Sequence, residues 1–134
     1  MARRLIIDTG VLIASERMQA RLANLIGAED DLVIAAVTVA ELRTGIELTT
    51  EPRRAARSEF LRRVLATLPV EPYDLASAEA HGRLLAHVHR TGKKRGAHDL
   101  IIAATALATN RAVLTGDRKA HFGDLPGVEC LAAG

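Results

Sequence analysis

The sequence predicts a layered α/β domain with a mostly parallel sheet, because short apolar strand-like runs alternate with longer helical patterns along the whole chain. The length of 134 residues is close to the common size of one domain, and the chain contains no internal repeat or low-complexity linker. A composition of 49% hydrophobic and 25% charged residues is typical of a globular protein and argues against disorder. We therefore expect a single domain over residues 1–134.

Short apolar runs predict the strands of this sheet. The first run ends at Asp8, and the run at 70–71 is the shortest and weakest. Together the runs predict a sheet of about five strands, formed by residues 5–7, 32–36, 70–71, 112–115 and 128–131.

Helical spacing of apolar residues predicts the helices between these strands. Two apolar stripes, over 39–46 and 60–68, are separated by Pro52. A third helix is predicted over 74–92, from an aspartate to a glycine. The fourth, over 99–109, has almost no polar face, so we expect it to be buried on most sides.

The composition excludes several functional classes. A single cysteine, Cys130, cannot form an internal disulfide, and no Cys/His cluster has zinc-finger spacing, so we expect a reducing, cytoplasmic environment. The apolar run at 5–7 is too short for a signal peptide or a membrane span. The net charge of +2 is compatible with a polyanionic partner. Phe60, Tyr73 and Phe122 are too few aromatic residues to form the stacking platform of an RRM or an OB-fold.

Four acidic residues stand at the ends of predicted strands or the starts of predicted helices. Asp8 follows the first strand, and Asp117 follows the strand at 112–115. Glu41 is predicted in the first turn of the helix after the second strand, and Asp99 is predicted to open the buried helix.

Each of these acids also has a purely structural interpretation. Asp8 could cap a helix beginning near Val11, and Asp99 could cap its own helix. Residues 38–41 have the S/T-x-x-E spacing of a capping box, and residues 116–117 are typical of a turn. Acidic residues are favoured at helix N-termini whatever the function, so these interpretations stay open.

Their joint placement favours a common site. Asp8, Glu41 and Asp117 all follow the carboxyl ends of predicted parallel strands, where open α/β sheets bind ligands. Two carboxylates about 5.5 Å apart repel by roughly 3 kcal/mol at an effective dielectric constant of about 20. A counter-cation relieves that repulsion, and ligands that are all oxygen favour Mg²⁺ or Mn²⁺.

Four segments, taken in order, resemble the PIN-domain ribonucleases, and within them the VapC toxins of bacterial toxin–antitoxin pairs. The segments are IIDTGVLI at 6–13, TVAELRTG at 38–45, HDLIIAA at 98–104 and LTGD at 114–117. The resemblance covers almost the whole chain and implies a three-layer α/β/α PIN-like domain. One departure is Gly10, where the family often has Asn or Ser.

The resemblance implies an endoribonuclease that uses Mg²⁺ or Mn²⁺ and hydrolyses RNA phosphodiester bonds. Its acidic quartet would be Asp8, Glu41, Asp99 and Asp117, with Thr9 and Thr115 as hydroxyl neighbours. We expect Asp8, Asp99 and Asp117 to bind the ion that activates a water molecule, and Glu41 to bind a second ion or to orient that water.

The resemblance also implies partners. The helices over 39–68 would provide a homodimer interface and a groove for the C-terminal segment of a cognate antitoxin, which would bring a basic side chain toward the acids. A higher assembly with the antitoxin and no membrane association are expected.

Two other functions remain open at this point. One is a PIN fold that binds RNA or a protein without cleaving. The other is a phosphotransfer receiver domain, which is disfavoured because the first strand offers only Asp8 where such domains have paired acids. His98 and the basic residues at 53–63 and 90–95 are compatible with either substrate contact or an ordinary surface role.

Overall fold

A five-stranded parallel sheet forms the centre of the molecule in the computed structural model, which describes residues 2–17, 27–116 and 122–132. Every strand pair is parallel, and the strand order is β3-β2-β1-β4-β5. The predicted α/β fold is confirmed, with β2 and β5 shifted by one or two residues. The strands are β1 (Arg4–Ile7), β2 (Asp31–Ala35), β3 (Val70–Glu71), β4 (Ala112–Thr115) and β5 (Cys130–Ala132).

Helices connect these strands on both faces of the sheet. They are α1 (Thr9–Arg17), α2 (Ala36–Glu47), α3 (Arg53–Thr67), α4 (Leu75–Thr91) and α5 (Ala97–Ala108), followed by a short 3₁₀ helix at Phe122–Asp124. The predicted ends of α4 are confirmed, since Asp74 caps it by accepting a bond from the Ser77 N–H at 3.0 Å and Gly92 ends it with φ +67°. Within the described ranges, no helix combines the length and apolarity needed to cross a bilayer.

Two of the structural interpretations of the acids are wrong. The capping box fails because α2 begins at Ala36, two residues before Thr38, and its N-cap residue makes no side-chain capping bond. Glu41 therefore lies in the second turn of α2 rather than the first. Asp99 does not cap α5, because the helix begins at Ala97 and the N-cap is Gly96.

Alternating side chains of the central strands divide the core into two clusters, one on each face of the sheet. On one face, Ile6, Val33 and Val113 pack with the apolar side of α5 and with Leu84 of α4. On the other face, the next residue of each strand packs with α1 and α3. The result is the three-layer α/β/α arrangement, and each fully buried Ile or Leu contributes about 1.5–3 kcal/mol.

The strand order places a topological switch point between β1 and β4. From β1 the chain moves to β2 on one side, and it later returns to β4 on the other side. Connecting segments diverge at such a point and leave a crevice at the carboxyl ends of the strands, where α/β proteins bind ligands.

Arg111 organises the opposite end of the central strands, which we call the amino edge and define by Arg4, Asp31 and Arg111. The Arg111 side chain is only 4% exposed, and its Nη1 donates to the backbone oxygens of Leu5 and Asp31 at 3.3 and 3.0 Å. Its Nη2 donates to the carboxylates of Asp31 and Glu71 at 3.3 and 3.4 Å. Arg4 forms a second ion pair with Asp31 at 3.2 Å. This buried guanidinium therefore joins β1, β2 and β3 to the start of β4.

Candidate active site

Asp8 and Thr115 meet at the carboxyl ends of the two central strands. The register pairs Ile7 with Leu114, so the next residue of each strand lies side by side. Asp8 is 5% exposed, and its Oδ2 accepts a hydrogen bond from Thr115 Oγ1 at 3.1 Å. Its backbone oxygen accepts the first helical bond, from the Leu12 N–H, so Asp8 stands at the start of α1 while its side chain faces β4.

Thr9, Thr38 and Glu41 form a second hydrogen-bonded group beside this pair. Thr9 Oγ1 donates to Glu41 Oε1 at 2.8 Å and lies 3.0 Å from Thr38 Oγ1. A hydroxyl has one proton, so a Thr9 hydroxyl that donates to Glu41 must accept from Thr38. The fully buried Thr38 thus fixes the direction of the Thr9 proton and connects α1 to α2.

Thr38 was predicted from the sequence as part of a capping box, and its contact with Thr9 was not foreseen. Thr38 is fully buried, and the signal that the sequence offered was a hydroxyl residue three positions before Glu41, about one helical turn away. We call the set Asp8, Thr9, Thr38, Glu41 and Thr115 the carboxyl edge.

The N-terminus of α5 lies against this edge. His98 Nδ1 is 3.5 Å from Glu41 Oε2, which places the first turn of α5 next to α2. Asp99 follows as the third residue of α5, where the helix dipole favours a carboxylate. A Cβ built on Gly96 would lie 2.9 Å from Asp99 Oδ2, so the absence of a side chain at position 96 gives the Asp99 carboxylate its space.

Asp117, the fourth predicted acid, lies outside the described residues, two positions after Thr115 at the end of β4. Within the described part of the chain, no three His, Cys, Asp or Glu side chains are arranged to hold a metal ion. The donors gathered at the carboxyl edge are carboxylate and hydroxyl oxygens. Oxygen donors of this kind suit a hard divalent cation such as Mg²⁺ or Mn²⁺.

An apolar groove of about 200 Å³ opens beside Glu41, lined by Ile13, Leu42 and Phe60 from α1, α2 and α3. Ile13 is 49% exposed, which is high for a large aliphatic side chain. At the rim, Arg57 Nη1 donates to the backbone oxygen of Gly45 at 2.9 Å. The apolar groove therefore ends at a carboxylate of the carboxyl edge.

Comparison with known proteins identifies relatives over nearly the whole chain. The PIN domain family matches residues 5–127. The ribonuclease VapC of Rickettsia bellii is 29% identical over 128 residues, which cover 95% of this chain and 94% of that protein. The ribonuclease VapC5 of Mycobacterium tuberculosis is 34% identical over 113 residues, covering 84% of this chain and 82% of that protein.

Solved structures also match the chain over nearly its whole length. The VapBC-5 toxin–antitoxin structure from Mycobacterium tuberculosis matches with a TM-score of 0.75 and 30% identity over 96% of each chain. VapBC2 from Rickettsia felis, bound to a DNA fragment from its promoter, matches with a TM-score of 0.86 over 98% of this chain and 99% of that one. At 18% identity, the second likeness concerns the fold alone.

Proposed function

The chain belongs to the PIN domain family, and on that premise we propose that it is a single-domain, VapC-type ribonuclease toxin that hydrolyses RNA phosphodiester bonds in the cytoplasm. The carboxyl edge is the observation that carries this proposal. Asp8 lies there between β1 and α1, and Glu41 lies there on α2. Each accepts a hydrogen bond from a threonine hydroxyl. Such a concentration of carboxylates at a strand-end crevice favours a cation-assisted reaction on an anionic substrate.

We assign the divalent ion, Mg²⁺ or Mn²⁺, to Asp8, Asp99 and Asp117, and assign to Glu41 either a second ion or the attacking water. When bound, the ion activates water as a nucleophile and offsets the charge on the phosphoryl oxygens. The Thr115 hydroxyl orients the Asp8 carboxylate through its 3.1 Å bond. Thr9, whose proton is directed by Thr38, orients Glu41 in the same way. The chain thus presets the directions of two carboxylates before any ligand arrives.

The proposal is tested by cleavage of a labelled single-stranded RNA in Mg²⁺, in Mn²⁺ and in EDTA. We expect cleavage with either ion, loss of cleavage in EDTA, and recovery when excess Mn²⁺ is added back. Cleavage in EDTA at the rate seen in Mg²⁺ would overturn the metal assignment. RNA binding without cleavage in every condition would replace the nuclease with a non-cleaving RNA-binding protein.

An antitoxin is the protein partner that we propose for the apolar groove. The solved relative VapBC-5 from Mycobacterium tuberculosis is a member of the VapBC family of toxin–antitoxin systems. Ile13, Leu42 and Phe60 would receive apolar side chains of an antitoxin segment, and Glu41 at the groove's end would attract a basic one. Ile13→Arg is expected to abolish copurification with the antitoxin while the variant still cleaves RNA. Unchanged copurification would exclude the groove as the docking site.

We propose a homodimer as the state of the free protein. Leu48 at the end of α2 is 82% exposed, and Leu65 on α3 is also exposed, within the helices for which a dimer interface is expected. Sedimentation should give a dimer at micromolar concentration, and Leu48→Lys should shift it toward the monomer. A strict monomer for the unmodified protein would remove the dimer from the proposal.

A further inference from the structure

The arginines of the α2–α3 surface are mostly engaged with local partners. Arg54 forms an ion pair with Glu47 at 3.2 Å, and Arg62 pairs with Glu59 on its own helix. Arg57 donates to a backbone oxygen, as described above. Within the described residues Arg53 and Arg63 form no ion pair, so this basic stretch is only partly neutralised.

The cations at the end of α4 and in the loop before α5 have still fewer acidic partners, and they lie next to the helix that carries Asp99. Arg90, Lys93 and Lys94 are exposed, and no acidic side chain among residues 2–17, 27–116 and 122–132 forms an ion pair with any of them. Together with Arg95 they form what we call the basic corner. Three adjacent unmatched positive charges raise the local concentration of polyanions.

Arg95 holds this corner in place. Its side chain is only 10% exposed, and its Nη2 lies 3.7 Å from Asp124 Oδ2 in the 3₁₀ helix. Its Nε is buried, and no described residue accepts a hydrogen bond from it. Because Gly92 ends α4 and Arg95 is anchored, the two intervening lysines stay at the surface beside α5.

A groove on α4 extends from the basic corner. It has a volume of about 630 Å³, and its small residues are Gly82 and Ala86, with Arg83, His87, Arg90 and Pro126 around them and Glu79 as the acidic residue of the lining. Arg83 is exposed, and its only ion pair among the described residues is a 4.0 Å contact with Glu79. Such exposed surface pairs contribute little to stability, so Arg83 can exchange its partner for a phosphate at little cost.

The basic corner lies close to the acids. Lys94 is five residues before Asp99, so their Cα atoms are separated by at most about 18 Å even for a fully extended chain. A substrate phosphate at the carboxyl edge would thus have neighbouring phosphates within reach of the corner. The carboxylates at the edge repel an RNA backbone, so the substrate needs a cationic surface elsewhere to stay bound.

We propose that the basic corner and the α4 groove bind the phosphate backbone of single-stranded RNA on one side of the cleaved bond. This inference rests on the proposed ribonuclease function and specifies where its substrate lies. Among the described residues that line the groove, His87 alone has an aromatic ring, whereas Arg83 and Arg90 both supply phosphate donors, so we place the contact on phosphates rather than on stacked bases. The corner therefore provides affinity without sequence preference, and base selection occurs elsewhere.

The test compares two triple variants that each remove three positive charges. One is Arg90→Gln with Lys93→Gln and Lys94→Gln in the corner, and the matched control is Arg53→Gln with Arg54→Gln and Arg63→Gln on α3. Binding of a fluorescent single-stranded RNA of mixed sequence is measured by anisotropy in EDTA over a range of salt concentrations. Melting temperatures of both variants verify that they are folded.

Log affinity for RNA falls as log salt rises, with a slope of roughly −0.7 per phosphate contact. Loss of three contacts in the corner variant should therefore make this slope shallower by about 2. A fourfold rise in salt then weakens the wild type about 20-fold more than the corner variant. The α3 variant should keep the wild-type slope. Equal slopes for the two variants would overturn the inference.

Cleavage in Mg²⁺ separates this inference from the proposed function. We expect the corner variant to cleave with a raised KM and an unchanged kcat, because the acids are intact. A methylphosphonate linkage, which removes one phosphate charge, should weaken binding on only one side of the cleaved bond. If linkages on both sides of the cleaved bond weaken binding equally, the RNA does not lie on one side only and the inference is contradicted. A wild type that neither binds nor cleaves RNA would instead remove the proposed function itself.

Discussion

The two ends of the central strands use charge in opposite ways. At the amino edge, the carboxylate of Asp31 is matched by two guanidinium groups, those of Arg4 and Arg111. At the carboxyl edge, Asp8 and Glu41 accept hydrogen bonds from neutral hydroxyls of Thr115 and Thr9.

On the proposed function, the contrast separates stability, at the amino edge, from activity, at the carboxyl edge of the same sheet. Opposite charges at the amino edge stabilise the fold directly. At the carboxyl edge, the hydroxyls of Thr115 and Thr9 orient the carboxylates of Asp8 and Glu41 and bring no charge of their own, and carboxylate oxygens are ligands that suit a divalent cation. Removing a charged group should therefore lower the stability of the fold at the amino edge, and should lower RNA cleavage without loss of stability at the carboxyl edge.

The largest expected effect is on activity at the carboxyl edge. Asp8→Asn keeps an oxygen that can accept from Thr115 but loses the charge, so RNA cleavage should fall by about 10³-fold, or roughly 4 kcal/mol of activation free energy. The melting temperature should stay the same or rise, because like-charge repulsion is relieved. Initial cleavage rates and thermal melts measure both. A variant that keeps most of its activity would exclude Asp8 from the reaction.

The next effect is on stability at the amino edge. Arg111→Met removes a buried guanidinium, so the Glu71 carboxylate and two backbone oxygens lose its hydrogen bonds and Asp31 keeps only its pair with Arg4, which should cost about 2–3 kcal/mol of unfolding free energy. Arg4→Met is the matched control, because Arg4 is far more exposed, and it should cost less than about 1 kcal/mol. Urea unfolding measures both values. Equal losses would refute the central role of Arg111.

A smaller effect on activity is expected from Gly96→Ala. Its backbone angles, φ −60° and ψ 136°, suit alanine, so stability should change by less than about 1 kcal/mol. The new Cβ would displace the Asp99 carboxylate, and cleavage should fall about tenfold, or roughly 1.4 kcal/mol. Gly27→Ala is the control near the amino edge, where the nearest atom to a Cβ is Asp30 Oδ2 at an ordinary 3.5 Å. Unchanged cleavage by Gly96→Ala would mean that Asp99 tolerates the shift.

The smallest effect concerns pH. The hydrogen bond from Arg111 holds the pKa of the Asp31 carboxyl below its ordinary value. Because the folded-state pKa is the lower one, this stabilisation is complete above the unfolded pKa of about 4 and is lost as the pH falls through the folded value. Melting temperatures below about pH 4 should therefore fall less steeply for Asp31→Asn than for the wild type. Parallel curves would contradict the pairing.

Local signals in the sequence predicted the elements well where one residue type determines the local backbone. Asp74 and Gly92 mark the ends of α4 because an aspartate satisfies the first N–H groups and a glycine adopts positive φ. The apolar character of α5 predicted its burial correctly. The start of α2 was misplaced because Thr38 imitates a capping residue, although its hydroxyl bonds to Thr9, 29 residues away.

Long-range partners explain what the sequence could not predict. The structural role of Arg111 was not predicted, because the sequence shows only a single charged residue before a strand. Its partners Leu5, Asp31 and Glu71 lie 106, 80 and 40 residues away. The parallel topology predicted that Asp8 and Glu41 lie at the same edge of the sheet. Their hydroxyl partners could not be predicted, because the contact of Asp8 with Thr115 depends on the register between β1 and β4. The roles of the four acids in catalysis stay predictions.

The bond between Asp8 and Thr115 spans 107 residues, and this separation governs when the site can exist during synthesis. A growing chain contains Asp8 and Glu41 early, but β1 acquires its β4 neighbour only after residues 112–115 have been translated. A truncated product therefore carries acids without the strand that orients Asp8. On the proposed function, such late assembly confines RNA cleavage to chains in which β4 has been synthesised.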